Sequence, residues 1–86
     1  MIREGLLWYD DDPKRGLAEK VLRAARRYQQ KHGMAPNVCY VHASVVGDSG
    51  QSDHIDGVHV AVLGSVLRNH YWLGNEEELP APVAVT

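Results

Sequence analysis

The sequence predicts a small α/β domain of the α+β type, a βαβ-ββ unit. Three or four strands form one mixed sheet, and one long amphipathic helix packs on one face. Three observations carry this. Residues 13–32 have helical periodicity between clear end signals. Short apolar runs lie on both sides of that segment. A later run, residues 57–63, alternates at period two.

The helix is expected over residues 13–32. Asp12 suits the N-cap, because its carboxylate can accept from an unpaired N–H of the first turn. Pro13 suits the first helical position, where its missing N–H costs nothing. Asp10 and Asp11 then lie near the positive end of the helix dipole. Lys31 and His32 fit the last turn, Gly33 fits the left-handed position after it, and Pro36 forbids continuation. Leu17, Ala18, Val21, Leu22, Ala25 and Tyr28 fall on one stripe at 3.6 residues per turn. Lys20, Arg23 and Arg27 fall opposite, flanked by Arg26 and Lys31.

Residues 5–10 read as the first strand, through Leu6, Leu7, Trp8 and Tyr9. Residues 37–42 read as the second. Strand, helix and strand make a βαβ unit with parallel strands and a right-handed crossover, and another strand can lie between them in a split arrangement. Residues 43–56 read as a loop rich in Gly, Ser and Asp. About a dozen residues is long for so small a domain and marks mobility or function. Residues 57–63 are the third strand, with Val58, Val60 and Val62 on one face and His59, Ala61 and Leu63 on the other. Residues 64–69 turn the chain, and residues 70–73 form a fourth strand closed by Gly74. The domain is taken as residues 1–75, followed by an acidic, proline-containing tail over residues 76–86.

One helix covers one sheet face. Trp8, Trp72 and several valines and tyrosines are expected on the other, so a homodimer through that face or through an edge strand is expected. Apolar residues at 44% argue against wholesale disorder. No apolar run approaches the roughly 18 residues a membrane span needs. The first ten residues lack the long apolar core of a signal peptide. The single cysteine, Cys39, sits in an apolar run and reads as a buried thiol. A cytoplasmic protein is expected.

The net charge of −2 conceals a split. Residues 13–32 hold seven basic residues and one acid, Glu19, for +6; the rest holds two basic residues and ten acids, for −8. Lys20, Arg23, Arg26, Arg27 and Lys31 are therefore the candidate contacts for an acidic protein or a nucleic acid. No aromatic residue interleaves with them, so stacking on single strands is not indicated. The bland reading of this strip is a solvated helix face.

Ligands in βαβ folds usually bind outside the carboxyl ends of the strands. There Asp10, Asp12 and His42 are weak catalytic candidates. Asp10, His42, Asp48 and His54 are weak candidates for holding Mg²⁺, Mn²⁺ or Zn²⁺. The competing reading gives Asp12 a capping role and makes His42 an ordinary strand-end residue. His59 and His70 read as surface or cross-strand residues. The Gly47-Asp48-Ser49-Gly50 stretch matches no phosphate-binding pattern and reads as a turn.

The opening Leu6-Leu7-Trp8-Tyr9-Asp10, the charged turn with Lys14 and Arg15, and the Ala-rich basic helix resemble the start of a family of small CRISPR-associated proteins. Those are ferredoxin-like dimers with an aspartate ending the first strand, and they bind duplex DNA. The resemblance covers roughly the first third of the chain. It stops where a second amphipathic helix is required, because residues 64–69 are too few for one, and no activity is carried over. The expectation is a binding or accessory module with no cofactor, more an interaction domain than an enzyme. The alternatives are a metal-dependent hydrolase at the Asp10, Asp12 and His42 edge and a structural subunit of a larger assembly.

Overall fold

The computed structural model describes residues 5–45 and 54–76. It contains β1 (Leu6–Tyr9), α1 (Leu17–His32), β2 (Val38–Val41), a single 3₁₀ turn (Ala43–Val45), β3 (His54–Ile55), β4 (Val58–Val62) and β5 (His70–Gly74). The five strands form one sheet in the order β1-β5-β2-β4-β3. β5 runs antiparallel to both β1 and β2, pairing Trp8 with Tyr71 and Val41 with Tyr71. β1 and β2 therefore point the same way with β5 between them. This is the split βαβ arrangement, and α1 makes the crossover. β2 and β4 pair in parallel, and β3 closes the sheet antiparallel to β4.

The sheet has five strands where three or four were expected. The additional one, β3, comes from the end of the stretch read as a loop. Its cause is the two-residue turn Asp56-Gly57, whose φ values are 49° and 83°. Positive φ at both central residues is what a type I′ hairpin requires, and Asp-Gly supplies it at low cost.

Alternation sorts the strand residues into two faces. Leu6 and Trp8, Cys39 and Val41, Val58 and Val60, and Tyr71 and Leu73 share the face covered by α1, joined by Ile55. The helix contributes Val21, Ala24 and Tyr28, all buried, with Leu17 and Ala25 packed alongside. This stripe differs from the expected one: Ala24 is in it, while Ala18 and Leu22 are exposed. The helix turns the arc centred near Val21, Ala24 and Tyr28 toward the sheet, and both Ala18 and Leu22 lie outside that arc. Trp8 faces the helix, not the open side where it was expected.

The helix also begins later. Its first residue is Leu17, with an extended Gly16 at the N-cap (φ −78°, ψ 173°) and no side-chain cap. Asp12 is not the N-cap. Its Oδ1 accepts from the Lys14 N–H at 2.9 Å, while Asp10 Oδ1 accepts from the Asp12 N–H at 3.0 Å. These local turns give the backbone an alternative to helix and hold residues 10–15 as a loop. The other end is as expected: Gly33 has φ 78° and donates to the Gln29 carbonyl at 2.8 Å.

Glu76 is not the start of a free tail. Its N–H donates to Asn37 Oδ1 at 2.9 Å, its carbonyl accepts from Asn37 Nδ2 at 2.9 Å, and its carboxylate accepts from the Tyr40 hydroxyl. The remainder of the proposed tail lies outside the described residues.

The hairpin can be tested with paired glycine substitutions. A Cβ at Gly57 or at Gly64 would meet nothing within 4 Å, but only Gly57 has positive φ. Gly57→Ala is expected to cost about 1–2 kcal/mol in urea unfolding, and Gly64→Ala to stay within about 0.5 kcal/mol. Equal costs would contradict the turn.

Candidate functional site: an acidic edge and an arginine ridge

The parallel strands β1, β2 and β4 end at one edge of the sheet. Asp10 there is 6% exposed. Besides the Asp12 N–H, its carboxylate accepts from the Arg15 guanidinium at 3.3 and 3.4 Å. The same guanidinium lies 3.3 Å from Asp12 Oδ2 and 3.5 Å from Glu19 Oε2. One arginine thus serves three carboxylates. Asp11 accepts from the Tyr9 hydroxyl at 2.9 Å, and that bond holds the tyrosine proton and raises its pKa. An open depression of about 490 Å³ lies here, lined by Trp8, Tyr9, Asp10, Asp11, Asp12, Pro13, Arg15 and Arg23.

Asp10 and Asp12 are brought together, as the sequence reading required. His42 follows β2, on the far side of β5 from Asp10. Its Nδ1 accepts from the Ser44 N–H at 3.0 Å, which places the proton of the neutral ring on Nε2, and Ser44 Oγ lies 2.8 Å away. His54 lies at the opposite edge: it pairs with His59, itself opposite Val38 at the start of β2. The two imidazoles approach to 3.4 Å. Asp48 lies outside the described residues. Among the described residues, no three His, Cys, Asp or Glu side chains are placed to hold a metal ion.

Cys39 is fully buried, and that burial pushes its thiol from 9.0 up to about 12. It stays protonated near neutrality and is no nucleophile.

The outward side of α1 is different in kind. Arg23, Arg26 and Arg27 are exposed, and with Gln30 they occupy positions i, i+3, i+4 and i+7, a single helix ridge. These four and Trp8 line a groove of about 190 Å³. Among the described residues, none of the three arginines makes an ion pair, since the only acid on the helix, Glu19, is engaged by Arg15. Of the other predicted contacts, Lys31 is exposed and Lys20 half-buried, and neither lines the groove. Sequence reasoning missed Gln30 and Trp8 as neighbours of the ridge. The seven-residue spacing from Arg23 was the available signal for Gln30, and strand alternation relative to Tyr9 was the signal for Trp8.

The sheet face that no described element covers carries Leu7 and Tyr9, each more than half exposed, beside Trp72, Tyr40 and His70. Leu63, Val66 and Leu67 from the β4–β5 connection extend it into an apolar groove of about 300 Å³. The Trp72 ring lies where a Cβ on Gly5 would be. No helix among the described residues is long and apolar enough to cross a membrane.

No family model, curated protein or solved structure matches this chain.

Alkaline pH tests the burial at the sheet centre. Tyr71 is raised from 10.0 to about 12 by burial, then by the charge of Asp10, then by Cys39, while Cys39 is raised by burial alone. Groups with raised folded pKa ionise first in the unfolded chain. Their stabilisation is complete below the unfolded values and is lost as pH rises toward the folded ones. The melting temperature is therefore expected to fall from pH 9.0 upward. Cys39→Ala should remove the part of this fall between 9.0 and 10.0, before Tyr71 contributes. An identical slope in that window for both proteins would contradict the buried thiol.

Proposed function

We propose that this protein is a non-enzymatic, cytoplasmic binding or accessory module whose basic helix ridge engages an acidic partner. The observation that carries the reading is the contrast between Arg15, neutralised by three carboxylates, and Arg23, Arg26 and Arg27, which have none among the described residues. Three guanidiniums on one helix ridge, without an ion pair among the described residues, match a surface of repeated negative charge, and nucleic acid is the partner to test first. The hydrolase reading of Asp10, Asp12 and His42 has less support, because Arg15 already supplies the positive charge at those carboxylates and β5 separates His42 from them.

Fluorescence anisotropy with labelled duplex DNA, single-stranded DNA and an acidic peptide at low salt tests this. Arg23→Glu/Arg27→Glu is expected to weaken binding to the preferred polyanion by about tenfold or more. Unchanged affinity would exclude the ridge as the contact.

The uncovered face favours a second, compatible element: self-association. Leu7 and Leu67 are 59% and 68% exposed around one groove, and a two-fold dimer buries the same patch twice. Sedimentation equilibrium at micromolar concentration is expected to give a dimer, and Leu7→Glu/Leu67→Glu a monomer. A clean monomer mass for the unaltered chain would remove this element and leave the ridge proposal untouched.

A further inference from the structure

We infer that the groove between Trp8 of β1 and Arg23, Arg26, Arg27 and Gln30 of α1 is a seat for a single phosphate-type oxyanion. The inference rests on the proposed basic ridge and narrows it from a diffuse charged surface to one chemical group.

The lining is rich in donors. Among the described residues it comprises three guanidiniums, one amide and one indole, with no carboxylate. The neighbouring depression shares Trp8 and Arg23 but adds Asp10, Asp11 and Asp12, three carboxylates against one further cation, Arg15. An anion is therefore drawn to one side of Arg23 and repelled from the other, which localises it. A carboxylate has two oxygens and is matched by a single arginine fork. A tetrahedral phosphate presents oxygens in several directions, and the several donors that three arginines and Gln30 bring to one groove suit it better.

Trp8 supplies an independent observation. Its indole Nε1–H is buried and has no hydrogen-bond partner. A buried donor left unsatisfied is costly and calls for an acceptor. Trp8 lines this groove, and a phosphate oxygen seated there is the kind of acceptor that its N–H lacks. The phosphate can belong to a nucleic-acid backbone or to a small phosphate-bearing molecule; the chemistry at the seat is the same.

Trp8 is also the reporter. In ¹H–¹⁵N spectra at constant ionic strength, titration with inorganic phosphate is expected to move the Trp8 indole signal saturably and leave that of Trp72 in place. Arg23→Gln/Arg27→Gln is expected to weaken this binding roughly tenfold or more, the weight of hydrogen bonds to a charged group. These arginines are exposed, so the variant should keep the native spectrum elsewhere. Trp8→Phe keeps a ring and removes the N–H; calorimetry should show weaker phosphate binding. Saturation by phosphate with displacement by duplex DNA supports the seat and assigns a nucleic-acid source. Saturation without any DNA binding supports the seat, assigns a small ligand, and removes the nucleic-acid version of the proposed function. A Trp8 signal indifferent to phosphate, or one that moves equally in the Arg→Gln variant, overturns the seat, and DNA binding that persists in that case leaves the proposed function standing.

Discussion

The packing of Val21, Ala24 and Tyr28 against Tyr71, Leu73 and Cys39 is the constraint on which the rest of this molecule depends. A helix of 16 residues is marginal alone in water, so α1 owes its existence to this contact. The contact also fixes the rotation of the helix about its own axis. Once those three side chains point at the sheet, Arg23, Arg26 and Arg27 have no course but outward, and the groove beside Trp8 follows. A domain of 86 residues has a modest core, and most of it lies in this one layer.

The same placement divides the positive charge of the helical segment into two populations. Arg15 precedes the first turn, folds back onto the loop of Asp10 and Asp12, and reaches Glu19 as well. It is a structural cation. The arginines two to three turns further on meet no acid among the described residues. The acidic edge and the basic ridge are therefore neighbours that do not cancel each other. Their boundary runs through Trp8 and Arg23, the two residues common to both depressions.

Much of this was legible in the sequence, for identifiable reasons. Gly33 and Pro36 fixed the end of the helix because each acts through backbone conformation, which neighbours cannot override. The valine alternation in β4 and the apolar runs of β1 and β2 are strand signals that survive any topology. The start of the helix was misplaced because Asp12 serves a turn as readily as a cap, and only the side-chain bonding partners separate the two. β3 was missed although Asp56-Gly57 carries a strong hairpin signal; two residues are too few for periodicity to register. Trp8 was assigned to the wrong side and Ala24 was left out of the helix stripe, because strand order, and with it the arc of the helix that is covered, is a long-range property. At the candidate site the arginines were proposed from charge pattern alone. Their distinction from Lys20 and Lys31 needed the groove.

Arginine labelling with a dicarbonyl reagent, read residue by residue by mass spectrometry, tests the orientation of α1 most directly. Arg23, Arg26 and Arg27 should react readily and Arg15 slowly, because among the described residues carboxylates engage Arg15 and not these three. The bound polyanion should then protect the first three. Equal reactivity of Arg15 and Arg23, or a bound polyanion that shields none of the ridge, would contradict the rotation of the helix and the function drawn from it.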